Sequence, residues 1–323
     1  MFETINYVQA SLFVGGGIAI GFGAIGAALG EGYAAGMANE ALSSRPEKSG
    51  EVLKNMLVGQ AIAESAAIFA LVVAIVLLFS QSAGQPALKA WAFLGAGLSM
   101  GLSAIGSGIG AGLPAGTACI GMVRQPASSN KIMTTMLIGS AVCQTPAIFG
   151  MVIAFLLLFL DLSAIPLYPG WAAVLGAGLS TGLAAIGPGI GNGATAMEAV
   201  SGIARHHETS SITNRMMLVG LGVAQSTAIY GFLISLMLLF YGFDESHTLT
   251  ASMGLLGAGL CMGFGGIGPG LGEGLTAASA VRWIARKPEE TGTLSRTMLV
   301  GMAVAESTGI YSLIVALLLI VMM

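Results

Sequence analysis

Four glutamates have the types and positions to carry chemistry. Glu31, Glu64, Glu273 and Glu306 each stand deep inside a long apolar run, whereas Glu40 and Glu198 lie nearer the ends of such runs. A carboxylate at the centre of an apolar layer costs roughly 3 kcal/mol or more, so its presence points to function. Glu31 and Glu64 are 33 residues apart, and so are Glu273 and Glu306. Polar turns centre near residues 47 and 290, which puts each glutamate 16 or 17 residues from its turn. In an antiparallel helical hairpin that spacing brings the pair to one depth, ~25 Å from the turn. Two carboxylates facing each other in low dielectric do not both ionise easily. One bound cation, with one proton shared, neutralises the pair.

Neighbouring residues extend these sites. Glu306 is followed by Ser307 and Thr308, with Tyr311 one turn beyond; Glu64 is followed by Ser65, with Phe69 where the tyrosine would be. Carboxylates, hydroxyls and a backbone carbonyl make an all-oxygen shell that suits a hard cation such as Na⁺. A proton shared between the two carboxylates is the other reading. Two middle repeats keep the positions and change the chemistry. They carry Ala111, Gln144 and Thr145, with Pro146 next, and then Asn192, Gln225, Ser226, Thr227 and Tyr230. Glutamine does not load and release a charge, so these read as sites that have lost ion exchange. The alternative is that Gln225 serves as a ligand in a neighbouring site.

The elements that position these residues follow from a repeat. Matching segments begin at Gly21, Gly101, Gly182 and Gly263, a period of 80 to 81 residues, and each is followed by a second matching segment from Leu57, Leu137, Leu218 or Leu299. The chain is four copies of a two-segment unit. We divide it as hairpins over 1–84, 85–165, 166–246 and 247–323. Each segment is an apolar run longer than the ~20 residues a bilayer requires, and in lipid the backbone must satisfy its own hydrogen bonds as helix. Eight transmembrane helices are predicted at about 10–42, 52–80, 89–122, 131–160, 170–203, 212–241, 251–284 and 294–322, continuous apart from Pro114, Pro146, Pro188 and Pro269. The predicted fold class is therefore an all-α membrane protein.

Composition agrees. Charged residues are 8% of 323, against about 25% in soluble domains, and mean hydropathy is +0.87. That excludes a water-soluble enzyme, a disordered chain and a nucleic-acid binder, and a net charge of −3 implies no polyanionic partner. Cys119, Cys143 and Cys261 lie in apolar stretches without metal-ligand spacing and read as small buried residues. The segment from Met1 to Gln9 has no Lys or Arg, so no secretory leader is expected and the chain should be retained whole. Eleven of the 12 Lys and Arg residues lie in or beside the turns inside hairpins; only Lys89 falls in a link between them. The positive-inside rule then predicts cytoplasmic hairpin turns, with the links and both termini outside. The first segment of every hairpin is dense in glycine at four-residue spacings, such as Gly97/Gly101, Gly108/Gly112/Gly116 and Gly266/Gly270/Gly274. Glycine weakens a helix, so this density needs a packing reason, and close approach of helix backbones supplies one. The prediction is a narrow inner layer of first helices and a bulkier outer layer of second helices facing lipid.

These features together resemble the rotor-ring c subunit, or proteolipid, of rotary ATPases. The resemblance covers nearly the whole chain, four times over. Arg45-Pro46-Glu47, Arg124-Gln125-Pro126 and Arg286-Lys287-Pro288 resemble the basic-proline loop that meets the central stalk, and Arg205-His206-His207 stands in that place without a proline. Ala305–Tyr311, read with Gly270–Gly274, is similar to sodium-binding rings. The resemblance implies that Glu64 and Glu306 are the ion carriers and that Glu31 and Glu273 are first-helix ligands. It implies that Ser65, Ser307 and Thr308 complete the shell and that Tyr311 steadies the carboxylate. It further implies Na⁺ or H⁺ as transported ion and no cofactor. The implied partners are copies of the chain in a two-layered ring, a stator subunit with an essential arginine, central-stalk subunits and lipid. The implied location is a prokaryotic plasma membrane, and the chain itself would do no bond chemistry. With hairpin 4 of one copy beside hairpin 1 of the next, sites split between neighbours would put the two active carboxylates side by side. F-type subunits are usually single hairpins with one carboxylate each, whereas two carboxylates in four hairpins is a V-like ratio. That halving favours an ATP-driven pump over a synthase. The competing class, a secondary transporter, calls for inverted repeats, and these four run parallel.

Overall fold

The computed structural model describes residues 2–245 and 248–323, with side chains from residue 7 onward. The expected boundary between hairpins 3 and 4, at 246 and 247, lies outside the described residues. Among these, every long element is helical and none is a strand. The helices are α1 (Phe2–Ser44), α2 (Ser49–Phe79), α3 (Leu88–Arg124), α4 (Ser129–Cys143), α5 (Thr145–Phe159), α6 (Leu167–Ala184), α7 (Ile186–Arg205), α8 (Ser210–Val223), α9 (Ser226–Phe240), α10 (Leu249–Arg286) and α11 (Thr291–Val321). They make eight segments long and apolar enough to cross a membrane. The eight predicted spans are thus present, most of them starting or ending a few residues further out.

Three spans are broken rather than continuous: at Gln144, at Ala185, and at Ala224–Gln225. Pro146 and Pro188 lack the N–H that would bond the carbonyls of Val142 and Ala184, which accounts for the first two breaks. The third has no proline. Conversely, α3 and α10 run unbroken through Pro114 and Pro269, so a proline alone does not decide the break. All three breaks fall in hairpins 2 and 3, the two without the deep carboxylates.

The first helices α1, α3, α6–α7 and α10 pack in that order as an inner arc, and the second helices lie outside it. Glycine lets the inner helices touch backbone to backbone. Gly97, Gly108 and Gly112 of α3 press on Gly15, Gly26 and Gly30 of α1; Gly178, Gly189 and Gly193 press on Gly95, Gly106 and Gly110; Gly259 and Gly274 press on Gly176 and Gly191. A Cβ at any of the pressing glycines, from Gly97 to Gly274, would enter the facing backbone. The second helices of hairpins 1 to 3 each settle in the groove between their own first helix and the next one along. Gly59 of α2 meets Ala115 of α3, Gly139 of α4 meets Ala196 of α7, and Gly220 of α8 meets Ala277 of α10. The two-layered packing predicted from glycine density is what the chain adopts.

The four hairpin turns share one shape, a single 3₁₀ turn over Pro46–Lys48, Pro126–Ser128, His207–Thr209 or Pro288–Glu290. The third forms without proline, and His206 takes the same backbone angles (φ −134°, ψ 75°) as Gln125. Lys89, the basic residue at the opposite end, is buried; its Nζ donates to the carbonyls of Leu158 and Leu160 at 2.8 Å each and Leu157 at 3.3 Å. It caps the C-terminal end of α5, where orphan carbonyls and the helix dipole favour a cation.

Candidate ion-binding site

The most enclosed carboxylate is Glu273 on α10. It is 0% exposed, and both its oxygens are buried without a hydrogen-bond partner. Glu306 on α11 lies close enough to interact with it electrostatically. Tyr230 of α9 donates its hydroxyl to Glu306 Oε1 at 2.6 Å. Ser226, also on α9, brings a buried Oγ within reach of Glu273 without meeting hydrogen-bond geometry. Two carboxyls from hairpin 4 and two hydroxyl residues from hairpin 3 therefore form one cluster.

That arrangement redistributes the residues singled out in the sequence. Tyr311, expected beside Glu306, is 63% exposed on the far side of hairpin 4, and the hydroxyl on Glu306 is that of Tyr230. Ser307 and Thr308 donate to Val304 and Ala305 of their own helix at 2.7 and 3.0 Å. Ser226, placed among the degenerate positions of hairpin 3, sits instead against the carboxylates of hairpin 4. The sequence did hold a signal for this: Tyr230 and Tyr311 occupy the same repeat position one hairpin apart, and the packing decides which glutamate each one meets.

Glu31 and Glu64 occupy the matching positions at the free edge of the arc. Glu64 is exposed, and among the described residues no hydrogen bond to its carboxyl is formed. Gln60 donates to the Glu31 backbone carbonyl at 3.1 Å, and Ser65 donates to that of Ile62 at 2.6 Å. Among the described residues, no helix packs on the outer side of hairpin 1 to play the part that α9 plays for Glu306.

In the middle hairpins, Gln144 Nε2 donates to the Ile62 carbonyl at 3.0 Å and Gln225 Nε2 to the Val142 carbonyl at 3.4 Å. Ala111 and Asn192 are 0% exposed, and neither amide atom of Asn192 has a partner. Thr145 opens α5. The cysteines are free thiols. Among the described residues no cluster of three His, Cys, Asp or Glu side chains could hold a metal. The oxygens gathered at the Glu273–Glu306 cluster are those of two carboxyls and two hydroxyls, all hard donors.

The basic loop residues gather at one end. Arg45 and Arg124 line a groove with Glu40 and Ser44, and Gln125 meets His207 across the turns at 3.4 Å. Arg205 ends α7 and Arg286 ends α10, the latter stacked on Trp283, while Pro46, Glu47, Pro126 and Pro288 lie in the 3₁₀ turns and Lys287 directly precedes the last of them. Arg282 pairs with Glu198 one helix turn inside.

Against known families, residues 14–77, 94–157, 175–238 and 256–319 each match the family of the ATP synthase C subunit. The chain belongs to that family. It is a fusion of four c-subunit hairpins of the rotary-ATPase type, and a multi-pass integral membrane protein. It is similar to the ATP synthase c subunit of Petrotoga mobilis, 59% identical over 66 residues, which are 20% of this chain and 69% of that protein. The ATP synthase c subunit of Thermotoga maritima is 57% identical over 65 residues, 20% of this chain and 76% of that protein. The A-type ATP synthase K subunit of Methanocaldococcus jannaschii is 35% identical over 188 residues, 58% of this chain and 78% of that protein. The c-subunit relatives thus span a single hairpin of the fusion, whereas the A-type relative extends over more than two.

Proposed function

We propose that this c-subunit fusion is the ion-carrying rotor of a rotary ATPase, with Na⁺ as its cargo on Glu64 and Glu306 and ATP hydrolysis as its driving reaction. The observation that carries the cargo assignment is the Glu273–Glu306 pair, closed by Tyr230 and flanked by Ser226. One Glu306 oxygen is fixed by the tyrosine, leaving the other free to face Glu273 and a cation. With one proton shared between the two carboxyls, binding one cation neutralises the pair, so the loaded site crosses lipid neutral and the empty site does not. A second proton in place of the cation would satisfy the same electrostatics and is the second reading.

The chain's two edges support a ring. Gly17, Gly21, Gly32 and Gly36 of α1 stand in the repeat positions of Gly97, Gly101, Gly112 and Gly116 of α3, yet have nothing within 4 Å. On α10, Gly268 likewise faces open space, in the repeat position of Gly26. Gly301 of α11 corresponds to Gly59, Gly139 and Gly220, which all meet an alanine of the next hairpin. A second copy placing its α1 against α10 completes every one of these contacts. The same step brings Tyr311 and Ser307 of one copy to Glu64 and Glu31 of the next. Such head-to-tail contacts close into a ring when the rotation permits.

Within that ring, an arginine of the stator would displace the ion, the loop residues from Arg45 to Pro288 would meet the central stalk, and lipid would cover the outer helices. The turns would face the cytoplasm and the links the outside, across a prokaryotic plasma membrane. Only two of four hairpins carry an ion. For a fixed number of ATP per turn, halving the carriers doubles the free energy available per ion, which favours pumping against steep gradients.

The test is carbodiimide modification, which attacks protonated buried carboxyls, mapped by mass spectrometry on the assembled rotor near neutral pH. Protection of Glu64 and Glu306 by Na⁺, and not by K⁺, is expected. Modification indifferent to Na⁺ would transfer the assignment to protons.

A further inference from the structure

The two glutamines of the middle hairpins do the same thing at successive joints. Gln144 Nε2 reaches back to the carbonyl of Ile62, and Gln225 Nε2 reaches back to the carbonyl of Val142. Ile62 and Val142 are each two residues before the carboxylate position of the preceding hairpin. The second acceptor is exposed by the chain itself: the residue whose N–H would bond Val142 in a regular helix is Pro146, which has none. Gln144 also donates to Ser107 of α3 at 3.4 Å, tying three helices together.

The chemistry of these positions separates amide from carboxylate. A carbonyl and an ionised carboxylate are both acceptors and repel at hydrogen-bond distance, unless a proton or a cation lies between them. An amide –NH₂ donates to the carbonyl outright. Glutamine is isosteric with glutamic acid in its protonated form, and its nitrogen lies where the acid's O–H would.

We infer that the amide nitrogens of Gln144 and Gln225 occupy the seat that the transported ion takes in the carboxylate sites, and so hold hairpins 2 and 3 permanently in the loaded, neutral geometry. This rests on the carrier reading above and deepens it. The middle hairpins are then not relaxed remnants but fixed copies of the ion-bound state, able to pass through lipid without exchanging anything. The polar surroundings fit a retained site. Gln144 Oε1 and both amide atoms of Asn192 are buried without partners, at the positions where a charged pair would sit in hairpins 1 and 4.

The inference predicts that glutamate is accepted in place of either glutamine and becomes titratable there. Gln144→Glu and Gln225→Glu are made separately in the full-length chain, assembled as rotor, and mapped by carbodiimide modification. The expected result is an intact ring in which residue 144 or 225 is modified, with Glu64 and Glu306 modified as in the parent. A folded ring with modified Glu64 and Glu306 but unmodified 144 and 225 overturns the inference alone. Failure of both variants to assemble overturns it too, since a protonated glutamic acid should seat where the glutamine does. Unmodified Glu64 and Glu306 in the parent ring overturn the carrier reading, and this inference with it.

Discussion

At Glu306 a single hydroxyl sets the geometry of the carboxylate. The bond from Tyr230 crosses from one hairpin to the next, so its removal tests both the site and the packing that forms it. A hydrogen bond to a charged group contributes about 1.5 kcal/mol or more, which corresponds to about tenfold in affinity. Tyr230→Phe should therefore raise the Na⁺ concentration needed to protect Glu306 from carbodiimide about tenfold, and leave protection of Glu64 unchanged. Tyr311→Phe should do the reverse in the assembled ring. Equal effects of either substitution on both glutamates would show that the tyrosines do not serve separate sites. Because Na⁺ binding requires a deprotonated carboxylate, protons compete with it. Less Na⁺ should suffice for protection as pH rises, and titrating the half-protecting concentration against pH checks this sign.

Helix packing in this chain depends on positions where a side chain has no room. Gly112 of α3 lies against the Gly30 backbone of α1. Overpacking a close contact costs about 1–3 kcal/mol, and here the facing atoms are backbone and cannot turn aside. Gly112→Val should lower the thermal unfolding midpoint of the purified chain clearly. Gly50→Val, where a Cβ has open space, should shift it little. Gln225 sits at the end of a helix interruption that no proline forces, whereas Pro114 and Pro269 leave their helices intact.

For the whole molecule, the two edges of the arc are the informative surfaces. Gly32 has nothing within 4 Å in the chain but stands in the register of Gly112. Gly32→Val should leave the unfolding midpoint of the isolated chain near that of the parent while preventing closed rings, as seen in particle images of detergent-solubilised material. Rings that persist would place the joint between copies elsewhere. In the parent, the hairpins counted around the ring should be a multiple of four.

The number and kind of elements were legible in the residues alone, because an apolar run longer than a bilayer has one way to satisfy its backbone, and because the repeat restates the same unit four times. The cost of Glu31, Glu64, Glu273 and Glu306 where they stand was legible as well, which is what singles them out as candidates. The layering was legible too, because glycine at four-residue spacing has few uses other than close backbone contact. Pairing between hairpins came only with the packing. Within one hairpin, Tyr311 is the tyrosine nearest in sequence to Glu306; in space the tyrosine on Glu306 is Tyr230, because the outer helix of hairpin 3 settles over the groove toward hairpin 4. The same offset turned Ser226 from a remnant into a neighbour of Glu273, and gave Gln144 and Gln225 their acceptors on the hairpin before. Spacing along one helix fixes depth and face, but which neighbour a face meets is set by the hand of the packing, and that is written in no single repeat.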